Sequence, residues 1–534
     1  MKQRVIAIVM MIISLLAFQF SFADNPLLLK DVYAGSNSSY PGGMIKWAAN
    51  RYLFIAQDSQ VNNPFFYVYG LWLTDGTPAG TTLLKEYDLN GGGLNGLTRL
   101  NDQTVVFMAY DAAHGNELWV TNGTPAGTKL LKDINPGTAS SSMNFGPVVN
   151  GNVYMQAAMG SSYSSVWQLW ITDGTANGTK KLADSIDYGS QTHAYLQYTG
   201  VVRSNIMYFY GVNPKTYYAA FWRSNGTVAG TYKLKTLDYT ITQGYYPYDI
   251  ATDKTVYFAG YDNTNGIELW KTNGTVSGTV MVKNINAGSN GSTPMSFQQL
   301  NGKVYFTAIQ QSTGTELWVT NGTTSGTKMV KEIYPGTNSG CWKTLGVSGN
   351  YLYFVGSDAT TGGEPWRTDG TAAGTILLKD IQPGTTSSLG GALWYTLFKD
   401  VNGRAYFTAT TYGSPGPMNQ KFSLYTSDGT PGGTIDLYDD PILDDNITIT
   451  NFNNVLGNLY FNPRNTTDQM IYKTDGTVAG TTSLDLIPGQ TDWASILLVD
   501  SNKLFLSLNG IGIGNEPYLY VAPSFVKISY GEIM

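Results

Sequence analysis

The sequence predicts an all-β protein, a single ten-bladed β-propeller of four-stranded antiparallel blades that is closed by the N-terminal strand joining the last blade. Three observations support this prediction. A turn of the form T/S-D/N-G-T-x-x-G-T recurs about every 48 residues, each repeat carries four short β-rich runs, and the chain begins with the one strand that its last repeat lacks. A fixed period of this length is typical of repeat architectures.

The repeated turn occurs nine times, with its acidic or amide residue at Asp75, Asn122, Asp173, Asn225, Asn273, Asn321, Asp369, Asp428 and Asp475. In one regular unit it joins ELWVT to TKMVKEI, and the two preceding runs, SFQQL and KVYFTA, are joined by Asn301 and Gly302. Asn-Gly between β-rich runs is a strong hairpin signal. Four antiparallel strands in about 48 residues predict one propeller blade per repeat.

The ends of the chain decide the number of blades. The second and third strands each occur ten times, but nothing like the repeated turn follows Tyr518. The run LLLKDV, residues 27–32, resembles a fourth strand that lacks its first three. We therefore predict that it completes the last blade and closes the ring, which leaves no free sheet edge. An open solenoid and two smaller rings are the alternatives.

The start of the chain has the pattern of a targeting segment. Lys2 and Arg4 precede an apolar stretch over residues 5–20, and small residues end at Ala23. This pattern predicts a cleavable signal peptide cut after Ala23 and export to the periplasm or out of the cell. The predicted organisation is a signal peptide (1–23), a propeller (24–523) and a short tail (524–534). No later apolar run reaches the roughly 20 residues that span a bilayer.

Composition argues against several classes of site. The formal net charge is −6 without a basic cluster, which argues against a nucleic-acid partner. The two histidines, His114 and His193, are interpreted as exposed loop residues, and Cys341 is the single cysteine. We therefore predict no disulfide, no metal site and no cofactor. No phosphate-binding glycine loop is present, and no catalytic residue is predicted.

Residues that recur in every repeat are assigned structural roles. The third-strand aromatics, from Trp72 to Tyr518, are expected to pack against the neighbouring blade. The two glycines of each turn, such as Gly322 and Gly326, are expected to supply a positive φ. The Asp or Asn is expected to bond its own backbone two residues on. A calcium-binding loop is the functional alternative for this turn.

Glutamates that open the third strands are predicted to pair with lysines late in the fourth strands. A register in which Thr320 opposes Thr327 places Glu316 opposite Lys331. The same arithmetic gives Glu117–Lys132, Glu268–Lys283 and Glu364–Lys379. Each cross-strand pair contributes about 0.2–1 kcal/mol. The glutamates are therefore interpreted as structural partners.

The joint recurrence of Glu-Leu-Trp, Asp/Asn-Gly-Thr and Gly-Thr resembles the bacterial ELWxxDGT repeat family over about 480 residues. The resemblance implies an exported protein with a propeller-like fold, and it carries over no catalytic residue. The units around Asp173, Asn225, Asp428 and Asp475 depart from the motif at the Glu or the Trp.

The candidate site lies where the repeats become irregular. The regular turns are expected on one face of the ring and the variable loops on the other, and loops on a rigid scaffold commonly carry binding. Exposed tyrosines are favoured at recognition surfaces, although they could instead fill gaps between irregular blades. The predicted binding cluster is His193, Tyr195, Tyr217, Tyr218, Tyr245, Tyr246 and Tyr248.

The functional hypothesis follows from this cluster. We predict an exported, non-enzymatic recognition or scaffold protein that binds a protein or a surface glycan through its loop face. The alternatives are a carbohydrate-active enzyme with its site over the central channel and a structural component of the cell envelope.

Overall fold

The structure is a computed structural model that describes residues 26–60, 67–88, 93–159, 166–183, 200–212, 218–240, 249–251, 255–389, 396–412, 420–439, 448–464, 470–484, 486, 494–510 and 513–523. Within these residues the chain forms ten four-stranded antiparallel sheets and no helix. The ten-bladed propeller predicted from the repeats is confirmed. The N-terminal signal peptide predicted for residues 1–23 lies outside the described residues.

The first five blades use consecutive strands in chain order. They are blade 1 with β2 (Gly42–Ala48), β3 (Arg51–Gln60), β4 (Tyr67–Thr74) and β5 (Thr82–Asp88); blade 2 with β6 (Asn95–Asn101), β7 (Thr104–Asp111), β8 (Gly115–Thr121) and β9 (Lys129–Lys132); blade 3 with β10 (Ser142–Val149), β11 (Asn152–Met159), β12 (Val166–Thr172) and β13 (Lys180–Ala183); blade 4 with β14 (Val201–Arg203), β15 (Ile206–Val212), β16 (Tyr218–Ser224) and β17 (Tyr232–Thr240); and blade 5 with β18 (Asp249–Ala251), β19 (Val256–Asp262), β20 (Gly266–Thr272) and β21 (Val280–Lys283).

The next four blades follow the same plan, and the tenth takes its fourth strand from the start of the chain. They are blade 6 with β22 (Met295–Leu300), β23 (Lys303–Gln310), β24 (Gly314–Thr320) and β25 (Lys328–Lys331); blade 7 with β26 (Cys341–Ser348), β27 (Tyr351–Gly356), β28 (Glu364–Thr368) and β29 (Ile376–Leu377); blade 8 with β30 (Phe398–Val401), β31 (Arg404–Tyr412), β32 (Gln420–Ser427) and β33 (Ile435–Asp439); blade 9 with β34 (Thr448–Val455), β35 (Asn458–Arg464), β36 (Tyr472–Thr474) and β37 (Thr482–Ser483); and blade 10 with β38 (Ala494–Asp500), β39 (Lys503–Gly510), β40 (Gly514–Val521) and β1 (Leu27–Leu28).

The first strands of the blades stand innermost and contact one another around the ring. β2 contacts β6, β22 contacts β26, and β38 returns to β2. Second strands are buried on both faces because a neighbouring blade covers each one. In β23, the run from Val304 to Ala308 is buried without interruption. This is why the second strands are mostly apolar and lack a regular alternation with polar residues.

The N-terminal strand closes the ring as predicted. β1 pairs antiparallel with β40, and Leu28 lies opposite Tyr518. The N–H of Leu29 donates to the carbonyl of Pro517 at 3.0 Å. The Leu29 side chain is fully buried in a cluster shared by blades 10 and 1. The last sheet therefore has no open outer edge of its own.

The third-strand aromatics pack between blades, as predicted. Trp119 of blade 2 shares a core cluster with Trp47 and Leu71 of blade 1, and Trp318 of blade 6 shares one with Leu269 of blade 5. Eight of these aromatics are buried, namely Trp72, Trp119, Trp170, Trp270, Trp318, Trp366, Tyr425 and Tyr518. They serve the core and form no exposed platform.

The repeated turn is held by its own Asp or Asn side chain, as predicted. The Oδ1 atom of Asn321 accepts hydrogen bonds from the N–H of Thr323 at 3.0 Å and from its hydroxyl at 2.7 Å. Gly322 has a φ of +87°, which confirms the expectation for the first glycine. The expectation is wrong for Gly326, whose φ is not positive. A side chain there would instead collide with the Asn321 side chain.

The predicted Glu–Lys cross-strand pairs are wrong by one position. In blade 6 the register passes from Trp318 opposite Met329 to Leu317 opposite Lys331, so a β-bulge adds one residue to the fourth strand. The bulge places Leu317 opposite Lys331 where Glu316 was expected. Blades 2 and 5 have the same shift, and in blade 7 the fourth strand, β29, ends at Leu377.

The lysines bind the next blade. The Lys331 ammonium donates to the carbonyl of Thr375 at 2.9 Å and lies 5.7 Å from the Trp366 ring centroid, both in blade 7. Lys283 of blade 5 makes the same two contacts with Thr327 and Trp318 of blade 6. The residues predicted to stabilise a hairpin therefore join neighbouring blades.

Candidate functional site

The binding cluster predicted from the sequence is almost entirely outside the described residues. His193, Tyr195 and Tyr217 lie outside the described residues. So do Tyr245, Tyr246 and Tyr248, which belong to the segment 241–248. Tyr218 begins β16, where its backbone pairs with that of Thr240. The cluster stays a prediction.

Five glutamates at the start of third strands are fully buried. They are Glu117, Glu268, Glu316, Glu364 and Glu516. Glu364 shows what they bind: its Oε2 accepts from the N–H of Ile381 at 2.9 Å and from the Ser388 hydroxyl at 2.6 Å, and its Oε1 accepts from the N–H of Ser388 at 3.0 Å. The carboxyl group thus holds the connection to the next blade.

Burial dominates the electrostatics of these glutamates. It raises the pKa of Glu117, Glu316, Glu364 and Glu516 to about 7, and it raises the pKa of Glu268, while the hydrogen bonds oppose the shift. Because no part of these side chains reaches solvent, they are structural groups. This agrees with the role inferred from the sequence, although their partners differ.

Glu516 was missed at the sequence level. Its segment GNEPY resembles GGEPW around Glu364, and this likeness is the signal that could have found it. Its Oε2 accepts from the N–H of Val32 at 2.9 Å and from the Ser39 hydroxyl at 2.8 Å. In blade 10 the same clamp therefore holds the N-terminal segment that closes the ring.

His114 is a loop residue, as predicted, but it is partly buried where an exposed residue was expected. Its Nδ1 lies 2.9 Å from both carboxylate oxygens of Asp111, and the hydrogen bond to this carboxylate raises the pKa of the imidazole. Asp111 also accepts from the backbone N–H of His114 at 2.8 Å. The pair organises its own loop.

A different pair of carboxyl groups forms the candidate active site. Asp58 lies near the end of β3 and Glu86 near the end of β5, and their side chains are joined by a hydrogen bond. Gly70 of the intervening strand opposes Ala56 on one side and Glu86 on the other. Position 70 corresponds to the position of the five buried glutamates in their blades. Blade 1 therefore lacks the glutamate side chain, and the carboxyl groups of Asp58 and Glu86 meet nearby.

Asp58 holds its proton up to about pH 6. Burial raises the pKa of Asp58 to about 6, and the hydrogen bond to Glu86 and its charge add to the shift. Two acidic groups in contact cannot both ionise easily. The Lys30 ammonium opposes the shift by attracting the charged form. Lys30 follows β1, so the strand that closes the ring also supplies this cation.

The carboxyl pair is on the loop face, away from the central opening. Second and fourth strands run in the same direction and both end at the face from which the blade-to-blade connections leave. Tyr40, which is 63% exposed, follows Ser39, whose carbonyl accepts from the N–H of Gln57, the residue before Asp58, at 2.7 Å. The site thus combines two carboxyl groups, one cation and one exposed aromatic residue.

The hydrogen bond between the two carboxyl groups bears on the chemistry they can perform. Carboxyl groups that share a hydrogen bond have oxygens roughly 2.5–3.0 Å apart. Glycoside hydrolases place theirs about 5–9.5 Å apart to leave room for the sugar and water. A pair in contact resembles the proton-sharing arrangement that activates water for attack on a carbonyl group.

No group of three or more His, Cys, Asp or Glu side chains in the described part of the chain is arranged to hold a metal ion. Among the same residues there is no helix with the length and apolar character needed to cross a membrane.

Comparison with known proteins gives distant likenesses. No family model and no curated protein matches the chain. A puromycin-hydrolyzing peptidase of Mycobacterium tuberculosis is 11% identical, with a TM-score of 0.30 over 74% of this chain and 63% of that one. The acylaminoacyl peptidase of Pyrococcus horikoshii is 10% identical, with a TM-score of 0.28 over 73% and 58%. An oligogalacturonate lyase in complex with manganese is 11% identical, with a TM-score of 0.32 over 60% and 86%.

The chain spans 58–63% of the length of these two peptidases. All three similar proteins are enzymes. This finding contradicts the prediction of a non-enzymatic recognition or scaffold protein, which is therefore wrong. At these TM-scores the likenesses transfer no site residue and no substrate. The resemblance to the ELWxxDGT family stays a prediction.

Proposed function

We propose that the protein is a hydrolase that cleaves a carbonyl-centred bond, an amide or an ester, with Asp58 and Glu86 as its acid–base pair. The observation that carries the proposal is the hydrogen bond between these two carboxyl groups on the loop face, where Asp58 has a pKa of about 6. A catalytic acid works best when its pKa lies near the working pH.

The two carboxyl groups have complementary roles. Glu86, the more exposed of the two, takes a proton from a water molecule whose oxygen attacks the carbonyl carbon. Asp58 gives its proton to the carbonyl oxygen; as the tetrahedral intermediate collapses, Glu86 protonates the leaving nitrogen or oxygen and one hydroxyl of the intermediate returns its proton to Asp58. Lys30 attracts the charge left on Asp58. Tyr40 offers an exposed ring against which a substrate can pack.

Hydrolysis of chromogenic anilides and esters by the purified protein tests the proposal. The variants Asp58→Asn and Glu86→Gln are expected to lose at least 100-fold in kcat/KM, because general acid–base catalysis contributes about 10²–10⁴-fold. The rate is expected to fall as the pH rises through about 6, where Asp58 loses its proton. Asp102→Asn, an exposed carboxylate of blade 2, is the matched control.

Two results would refute the proposal. One is that no anilide or ester is turned over while glycosides are. The other is turnover that survives both substitutions at the wild-type rate. Thermal melting of each variant, compared with the Asp102→Asn control, separates loss of chemistry from loss of fold.

We also propose that the protein is exported, as the pattern of Lys2, Arg4 and Ala23 supports. N-terminal sequencing of protein recovered outside the cytoplasm is expected to begin at Asp24. Protein that keeps Met1 and remains in the cytoplasm would contradict export.

A further inference from the structure

At four blade junctions the first glycine of the repeated turn lies against the hydroxyl group of a tyrosine in the preceding blade, namely Gly274–Tyr208, Gly322–Tyr257, Gly370–Tyr305 and Gly476–Tyr406. A methyl group added to Gly322 of blade 6 would lie 2.5 Å from the hydroxyl oxygen of Tyr257 in blade 5. A methyl group added to Gly274 of blade 5 would lie 2.6 Å from that of Tyr208 in blade 4. The first glycine of the repeated turn is thus required by its φ and also by this close approach to a tyrosine.

A cation beside that tyrosine binds the same glycine. Lys271 lies opposite Tyr257 in blade 5 and donates to the carbonyl of Gly322 at 2.8 Å. Arg223, opposite Tyr208, donates to the carbonyl of Gly274 at 3.0 Å. In blade 7, Arg367 donates in the same way to Gly429 at 3.0 Å. In blades 4 and 5 a Tyr–cation pair therefore receives the turn of the next blade.

Blade 9 has this receiving pair but no turn to fill it. Tyr460 lies opposite Lys473, in the register of the pairs above. The following blade has no turn after its third strand, because its fourth strand comes from the N-terminus. A cavity of about 290 Å³ occupies the place, lined by Tyr460, Lys473, Asp475, Ala522 and Pro523. No hydrogen bond from the Lys473 ammonium is found within the described residues.

We propose that this seam cavity is a polypeptide-binding site that receives a turn from the segment 524–534 of the same chain. The segment continues directly from Pro523 at the rim of the cavity. Its sequence, SFVKISYGEIM, contains one glycine, Gly531, as the close approach to a tyrosine requires. Gly531 lies eight positions after Pro523, a stretch that spans up to roughly 26 Å when extended.

The proposed contacts copy those at the junctions that follow blades 4 and 5. The carbonyl of Gly531 accepts from the Lys473 ammonium, and its Cα packs against Tyr460, which is 3% exposed. A hydrogen bond to a charged group contributes about 1.5–3 kcal/mol. That contribution corresponds to a change in affinity of about 10- to 150-fold.

The test uses the chain ended at Pro523 and the synthetic peptide SFVKISYGEIM. Isothermal titration calorimetry is expected to show one peptide bound per chain. Lys473→Met is expected to weaken binding at least tenfold and Lys473→Arg to restore most of it. A peptide with Gly531→Val is expected to bind at least tenfold more weakly. Lys271→Met, which changes the corresponding cation of blade 5, is the control and is expected to leave the affinity unchanged.

The full chain gives an independent readout. Trypsin is expected to cut after Lys527 more slowly in the wild-type chain than in the Lys473→Met variant. The proposal is overturned if the peptide does not bind, if Lys473→Met and Lys271→Met bind it equally well, or if light scattering shows that the shortened chain fills the cavity by forming a dimer. Circular dichroism of each variant checks that the sheets are retained.

Discussion

Replacing Glu516 by glutamine is expected to open the ring at its seam while the other blades stay folded. The carboxylate accepts from the N–H of Val32 at 2.9 Å, from the N–H of Ser39 at 3.2 Å and from the Ser39 hydroxyl at 2.8 Å. Ser39 and Glu516 are both fully buried. These bonds tie residues 26–41 to the last blade.

The expected loss of stability follows from the hydrogen bonds that glutamine cannot accept. Both carboxylate oxygens accept, but an amide has one acceptor oxygen, so at least the N–H of Ser39 would face another donor. A buried unsatisfied donor costs about 1–3 kcal/mol, and more where a charged partner is lost. We expect the substitution to cost about 2–4 kcal/mol at the seam.

Glu364→Gln is the matched comparison, because Glu364 makes the same kinds of bonds within a continuous stretch of chain. The Glu364–Ile381 bond spans 17 residues, whereas the Glu516–Val32 bond spans 484 residues. The short connection keeps Ile381 near Glu364 when their bond breaks, whereas no short stretch of chain keeps Val32 near Glu516. The same loss of bonds should therefore detach the N-terminal segment and leave blade 7 closed.

Hydrogen exchange measured by mass spectrometry checks this expectation. Residues 26–41 should exchange faster in Glu516→Gln than in the wild type, and residues 381–389 should change much less in Glu364→Gln. Trypsin should also cut sooner after Lys30 in the Glu516 variant. Equal protection of residues 26–41 in the two variants would refute the reasoning.

Three further predictions concern stability. The free energy of unfolding should fall as the pH rises from about 4.5 to about 7, because buried glutamates bind protons more tightly in the folded chain; urea titrations that show greater stability at pH 7 than at pH 5 would contradict this. Those with a pKa raised to about 7 are Glu117, Glu316, Glu364 and Glu516. Lys331→Met should lower the free energy of unfolding by about 1–3 kcal/mol by removing the bonds to blade 7, whereas the exposed Lys328→Met should not. Gly326→Ala should cost about 1–3 kcal/mol by crowding Asn321, and an equal effect of Gly432→Ala, where an added methyl group has open space, would argue against that cause.

Local sequence patterns predicted much of the fold because they act over short distances. The Asn-Gly hairpins and the Asx-type turns involve neighbours in the chain, so Asn301, Gly302 and Asn321 could be assigned without coordinates. The missing turn after Tyr518 was enough to predict closure by residues 27–32, because a sheet edge favours a partner strand.

The register of the third and fourth strands and the contacts between blades could not be predicted from the sequence. One bulge at Trp318 moved Lys331 away from Glu316, because inserting a single residue turns every later side chain to the opposite face. Counting from the turn could not reveal that insertion. The lysines consequently bind the next blade, which the repeat pattern did not suggest.

The two proposed sites also separate what the sequence determines from what the tertiary structure determines. The repeat alone determined the ten blades, their four strands and the N-terminal closure, since these follow from local periodicity. Only the tertiary structure brought Asp58 to Glu86 across Gly70, and only it left Tyr460 and Lys473 facing a cavity at the seam. Both arrangements join residues far apart in sequence, and their positions depend on how the blades twist and pack around the closed ring.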